Sequence, residues 1–234
     1  MTRRIDLAEA AAALTAPATE PVVVEGAEVV QASFELAGVR GAALLPDGLA
    51  PTVPTLCTFL VVRAAASPLG SFTFAQARLS CRSGVRARAV VVATAAEGPA
   101  ELGERWGIAG EPGPIRLERR YDRIDVGVPA WGLALELHDP APISAGDLQY
   151  VTGLHPVRWQ GDDRLAQVEL DVHSERAERA RPVLASYDGF GAARIVPRHP
   201  VVATIAVGSF TLPKVRFLLR PDVAPNVGTE RIST

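Results

Sequence analysis

Val201-Val-Ala-Thr-Ile-Ala206 and Phe210-Thr-Leu-Pro-Lys-Val-Arg-Phe-Leu-Leu219 are runs rich in branched and aromatic residues, set on either side of Gly208. Such side chains fit a pleated, half-buried surface better than a helix. Working outward, the same composition recurs at Val22-Val-Val24, Ala27 to Glu35, Cys57 to Arg63, Arg88 to Thr94, Arg116 to Val128, Leu133 to Leu137 and Leu165 to Val172. Prolines and glycines gather between these runs, at Pro46-Asp-Gly48, Ser67-Pro-Leu-Gly70, Gly110-Glu-Pro-Gly113 and Asp139-Pro-Ala-Pro142, where they make turns. Helical spacing is confined to Ile5 to Leu14 and Glu97 to Trp106. Many strand-like runs without an alternating strand and helix rhythm predict a mainly β (α+β) fold, an antiparallel barrel or sandwich. The 234 residues read as a single domain, 1–234, with an N-terminal helix or arm over 1–20 and a loose tail over 221–234.

Bulk properties exclude several classes. At 48% hydrophobic and 21% charged, with a net charge of -2, the chain has enough apolar residues for a packed core. Its 24 basic residues face 26 acidic ones, so no basic excess exists to hold a phosphate backbone, and nucleic acid is not an expected partner. The longest largely apolar run, Ala89 to Ala96, falls far short of the ~18 residues of a membrane span, so no membrane association is expected. Near the start, Asp6 and Glu9 interrupt what would be the apolar region of a secretion signal. Cys57 and Cys81 form no CxxC pair and no dense disulfide framework, which points to a reduced cytoplasm. Lys214 is the single lysine among the 24 basic residues. That arginine bias fits a GC-rich bacterial genome, and it leaves one side chain as a candidate amine nucleophile.

Motifs of familiar chemistry are sparse. His138, His155, His173 and His199 show neither HxH nor HxxxH spacing, so neither a metal site nor a cofactor is expected. No GxSxG elbow is present, and Gly-x4-Gly-Lys is excluded because Lys214 follows Pro213. Asp188-Gly-Phe-Gly-Ala-Ala-Arg194 lacks a third glycine and reads as a turn rather than a dinucleotide loop. Arg116-Leu-Glu-Arg-Arg-Tyr-Asp-Arg123 carries charge of both signs, the pattern of a solvated or subunit-facing strand.

Several segments, taken in order, resemble the acetoacetate decarboxylase superfamily. They are Leu44-Leu-Pro-Asp-Gly-Leu49, Ser67-Pro-Leu-Gly-Ser-Phe-Thr73, Gly103-Glu-Arg-Trp-Gly-Ile-Ala-Gly-Glu-Pro112, Asp147-Leu-Gln-Tyr-Val-Thr-Gly-Leu-His-Pro156, Leu170-Asp-Val-His173 and Thr211-Leu-Pro-Lys-Val215. The resemblance implies a cone-shaped antiparallel β-barrel, a deep and largely apolar pocket, and a homo-oligomer. In that family a pocket lysine forms a Schiff base with a β-keto acid. The matching position here is Glu111, while Ala27 stands where the family has a substrate-gripping arginine and Phe59 and Phe74 stand where it has two functional glutamates. A carboxylate cannot form an imine. The expected site is therefore a hydrophobic pocket lined by Phe59, Phe74 and Trp106, with Glu111 as general acid or base if it projects inward and as a solvated loop residue if it does not. Lys214 alternates with apolar Val215, Phe217 and Leu219 and is expected on the polar face.

The reading that follows is a lyase-type enzyme of secondary metabolism without Schiff-base chemistry. It would act on a hydrophobic keto or polyketide-like small molecule by cyclisation, dehydration or a related step. A non-catalytic small-molecule binding barrel and a β-keto acid decarboxylase using Lys214 are the alternatives.

Overall fold

Arg63 on one strand lies opposite Thr73 on the next, and the two are joined by the Ser67-to-Gly70 turn, in which the Gly70 N–H donates to the Ser67 carbonyl at 3.0 Å. Turns of this kind carry the chain through a sequence of hairpins. A computed structural model describes residues 7–36, 44–189 and 195–232. The strands are β1 (Ala12–Ala13), β2 (Val22–Leu36), β3 (Ala50–Pro51), β4 (Leu56–Ala64), β5 (Phe72–Ser83) and β6 (Arg86–Glu97), followed by β7 (Arg116–Arg119), β8 (Arg123–Val128), β9 (Leu133–Pro142) and β10 (Gly153–Trp159). The remainder are β11 (Asp162–Val168), β12 (Asp171–Ser186), β13 (Pro197–Leu212), β14 (Phe217–Leu219) and β15 (Thr229–Arg231). Short helices α1 (Leu7–Ala10), α2 (Glu101–Trp106) and α3 (Pro225–Gly228) punctuate them.

All strands join one 15-stranded sheet, whose main path runs β15-β14-β11-β10-β6-β5-β4-β2-β13-β12-β9-β8-β7. Most neighbours are antiparallel, but β10 pairs in parallel with β6 at Gly153↔Ala89 and Leu154↔Val90, and with β1 at Ala12↔Val157. The path ends at β15 on one side and β7 on the other. The expected closed antiparallel barrel is thereby corrected to a mixed, open sheet. Three further expectations change. The predicted N-terminal helix shortens to α1, with Ile5 and Asp6 outside the described residues and Ala12–Ala13 drawn into the sheet by β10. Arg116 to Val128 is a hairpin of β7 and β8 rather than one strand. The tail is not loose over its described part, because β15 pairs with β14 at Phe217↔Arg231 and Leu219↔Thr229.

β4 and β5 explain where the core sits. Both are buried on both faces, and period 2 sends alternate side chains to opposite sides. Phe59 and Val61 of β4 join Ala75, Ala77 and Leu79 of β5 in one apolar cluster, which also takes Phe34, Leu135 and Leu137. Leu60 and Val62 join Phe72 and Phe74 in a second cluster with Trp106, Val157 and Phe210. In the first, Phe59 meets Phe34 and Tyr187 edge-on at 6.1 and 5.5 Å; in the second, Phe72 meets Phe210 edge-on at 6.4 Å, geometries that add to simple burial. Among the described residues no helix is long and apolar enough to cross a membrane.

Candidate functional site

The expected site residues do not converge. Register pairs Phe59 with Ala77 and Val62 with Phe74, so the even and odd positions of β4 face opposite ways and Phe59 and Phe74 lie on different sides of the sheet. Phe74 and Trp106 share the second cluster, both fully buried, whereas Phe59 belongs to the first. Trp106 is pinned by its indole N–H, which donates to the Pro213 carbonyl at 2.6 Å. Glu111 is exposed. Its backbone lies along β6, the amide donating to Thr94 O at 3.1 Å and the carbonyl accepting from Ala96 N at 3.2 Å, and this pairing turns the carboxylate to water. The inward reading of Glu111 is thus corrected. Its neighbour Gly110 packs so tightly on β6 that a Cβ there would overlap the Thr94 carbonyl oxygen, so position 110 admits no side chain in this arrangement. Ala27 is buried in the second cluster, and Lys214 is exposed in the connection between β13 and β14.

The structure brings together a different set. On β5 the face that begins with Phe74 continues through Gln76 to Arg78, both buried. Reading the register across the sheet, Gln76 lies opposite Leu60, Leu60 opposite Gln31, and Gln31 opposite Thr204. One row farther along, Arg78 lies opposite Thr58 and Thr58 opposite Ser33, whose hydroxyls bond to each other at 2.9 Å. The row before them, Phe74, Val62, Val29 and Ala206, is wholly apolar. One continuous face therefore passes from hydrocarbon to polar groups within two rows, the composition of a site for a ligand with an apolar body and a polar end.

Arg78 is 4% exposed. Its Nε and Nη2 donate to the Gln76 Oε1 at 3.0 and 2.5 Å, and its Nη1 reaches the Val151 carbonyl at 3.5 Å. Among the described residues no carboxylate pairs with it. Burial pulls its guanidinium down to about 9, so the group is a cation at neutral pH but an expensive one. His155, from β10, stands on the same side as Val157 of the second cluster and is 1% exposed. Its Nδ1 lies 3.0 Å from the Trp106 carbonyl, which only accepts, so Nδ1 carries the proton and Nε2 the lone pair. Burial first, and then the Arg78 cation, pull His155 down to about 3, keeping it a neutral imidazole. Nε2 is buried with no hydrogen-bond partner, as are Gln76 Nε2, Tyr150 Oη and Thr204 Oγ1.

Gly153 ties these groups together. A Cβ at that position would lie 2.8 Å from His155 Nε2 and 3.4 Å from Arg78 Nη2, so imidazole and guanidinium both pack against the bare backbone of Gly153, which brings them side by side. A buried cation beside a buried neutral imidazole can hold a carbonyl oxygen, accept a proton from the adjacent carbon, and hold the oxyanion that forms. His138, His173 and His199 stand on the partly or fully exposed surface, and the first two lie against Glu136 and Asp171.

No family model matches the sequence, and no curated protein matches it. The likeness is at the level of structure. An acetoacetate decarboxylase from Legionella pneumophila subsp. pneumophila str. Philadelphia 1 superposes with a TM-score of 0.70 at 16% identity, covering 85% of this chain and 87% of that one. The enduracididine biosynthesis enzyme MppR, with HEPES buffer bound, gives 0.68 at 18% identity over 87% and 89% of the two chains. An acetoacetate decarboxylase-like enzyme from Sphingomonas wittichii RW1 gives 0.62 at 14% identity over 84% and 92%. The chain has the acetoacetate decarboxylase-like fold.

Proposed function

We propose that this chain is an enzyme with the acetoacetate decarboxylase-like fold that works by acid–base catalysis, without an amine nucleophile or a cofactor, on a hydrophobic keto or polyketide-like metabolite. The observation that carries the reading is the buried Arg78 guanidinium, with no carboxylate partner among the described residues, packed against Gly153 beside the unpartnered His155 Nε2. A substrate carbonyl oxygen would take Arg78 Nη1 in place of the Val151 carbonyl, together with the Gln76 amide N–H, while Phe74, Val62 and Leu60 accept its hydrocarbon part. His155 Nε2, a weak base at about 3, accepts the proton from the carbon beside that carbonyl as the Arg78 cation takes up the developing negative charge on the oxygen. The C–H bonding pair becomes an enolate whose charge rests on the oxygen held by Arg78. From the enolate, loss of a β-hydroxyl as water, assisted by the imidazolium proton, or closure onto a second carbonyl are both lyase- or cyclase-type outcomes. The setting would be a cytoplasmic, bacterial homo-oligomer of secondary metabolism. The occurrence of MppR, an enduracididine biosynthesis enzyme whose structures include a pyruvate complex, among the structural neighbours supports small keto compounds as the substrate class.

Exchange of the methylene protons of benzoylacetone, a hydrophobic 1,3-diketone, followed in heavy water by NMR, tests the reading. Wild type should accelerate exchange, and His155→Gln should lower the rate by about 100-fold or more while leaving benzoylacetone binding within a few fold. No acceleration by wild type, with binding intact, would instead establish the second reading, a non-catalytic binding protein, which the outward Glu111 favours. Borohydride trapping with acetoacetate should give no adduct, and a stable adduct at Lys214 would restore the decarboxylase alternative.

A further inference from the structure

The segment between β9 and β10, residues 143–152, crosses the polar end of the site as a strap. It is anchored at its two ends by backbone bonds, Ile143 N donating to Ala177 O at 3.0 Å and Ala89 N donating to Thr152 O at 3.1 Å. Between these anchors its 3-10 turn, Ala145–Asp147, is capped internally by Ser144. Leu148 and Tyr150 rest half-buried on the second apolar cluster, and the rest is exposed. Among the described residues, the other hydrogen bonds that hold this span to the body come from two side chains of the site. Gln31 Nε2 donates to Gln149 O at 3.2 Å, and Arg78 Nη1 reaches Val151 O at 3.5 Å. The second is at the long limit of a hydrogen bond, yet it is the contact that meets Nη1, the one nitrogen of this buried cation that Gln76 Oε1 does not serve.

We infer that the strap is an autoinhibitory gate and that the Val151 carbonyl is a stand-in for the substrate oxygen. The inference rests on the proposed role of Arg78 in gripping a carbonyl or enolate oxygen. In the free protein the strap gives the guanidinium a neutral acceptor, the Val151 carbonyl. An incoming oxygen that carries enolate charge competes for the same Nη1 and wins it, because a cation attracts an anionic oxygen more strongly than the dipole of a neutral carbonyl held at 3.5 Å. The strap then keeps only the Gln31 bond and the packing of Leu148 and Tyr150. Ligand binding should therefore loosen this span, opposite to the protection a ligand ordinarily confers. Gln31, in the same polar face but one strand farther from Arg78 than Leu60, is the latch that sets how often the gate opens.

Amide hydrogen exchange of the full chain, followed by mass spectrometry over residues 144–151, tests this with benzoylacetone as probe. Removing the latch with Gln31→Ala should raise exchange in that span about fivefold without ligand, the factor that one neutral hydrogen bond is worth. The amides of β4 and β5 should stay unchanged. Saturating benzoylacetone should raise exchange in the same span of wild type by a similar factor, and should raise nothing in Arg78→Met. Leu148→Ala, which alters only the strap's docking, should mimic Gln31→Ala and covers the case in which the latch variant folds poorly. Unchanged exchange in both strap variants, or added protection of residues 144–151 by bound benzoylacetone, would overturn the gate. If benzoylacetone fails to bind wild type, the reading of Arg78 fails with it, while the strap variants still decide whether the latch exists.

Discussion

The two sides of β4 and β5 use neighbouring residues to opposite ends. On one side Cys57, Phe59, Val61, Ala75, Ala77, Leu79 and Cys81 are all apolar or thiol-bearing, and the thiols, pushed up to about 12 by burial, are inert neutral groups. On the other side the same strands begin equally apolar, with Val62 and Phe74, then change to Thr58, Gln76 and Arg78. The first side spends its burial on cohesion. The second gives up cohesion to keep a cation and a base out of water, a trade that stability alone does not reward.

Four substitutions would break or sharpen that contrast. The largest effect should come from Phe59→Ala, which opens a hole among Phe34, Tyr187 and the β5 alanines; it should cost about 3–5 kcal/mol in denaturant unfolding and leave benzoylacetone affinity nearly intact. If affinity fell in step with stability, the two sides would not be functionally separate. Next, His155 makes the fold acid-sensitive. Its folded value of about 3 lies below the ordinary 6.5, so the unfolded chain takes up the proton first as pH falls. The stabilisation is complete above about 6.5 and drains away toward about 3, amounting to a few kcal/mol. His155→Gln, which keeps an N–H for the Trp106 carbonyl, should flatten the stability profile across that window; an unchanged profile would show that His155 is not the titrating group. Third, Arg78→Met should be close to neutral, within about 1 kcal/mol, since relief of a buried charge is offset by leaving the buried Gln76 Oε1 without its donor. It should nonetheless weaken probe binding about 100-fold or more, the loss of a desolvated charge-assisted contact. A melting temperature that falls with Arg78→Met would mean the cation serves the core. Smallest of all, Glu111→Gln should change stability by less than about 0.5 kcal/mol and turnover not at all.

Legibility followed side-chain chemistry. Branched runs such as Val201 to Ala206 and Cys57 to Arg63 announced their strands, because a strand with two buried faces reads as a continuous apolar stretch. β5 is not legible from composition, since Gln76, Arg78 and Arg82 dilute its apolar run, and β10 emerges only through the resemblance of Asp147 to Pro156, not from its own composition. β12 escaped for the opposite reason, its Ser174-Glu-Arg-Ala-Glu-Arg-Ala-Arg181 run being largely exposed and charged. The resemblance brought Phe74 into view, two residues and one pleat repeat short of Gln76. It also brought Phe59, which an odd register position turns to the other face. The local signal that would have found the site is Phe74-Ala-Gln76-Ala-Arg78, a polar pair at spacing 2 beginning beside a buried aromatic. No local signal places His155 beside it, because that meeting is made by the β6 and β10 pairing.

That pairing is narrow, two registered residues wide in an otherwise broad ladder. Arg78 arrives with the β2-to-β6 meander, whose contacts are local, whereas His155 arrives only after β10 has docked across the parallel join. Such long-range joins form late, after the loop-closure entropy has been met. During refolding, then, the secondary structure of the β2-to-β6 meander should recover before probe binding does. The moment at which the protein regains its ligand is a clock for the closing of a single seam.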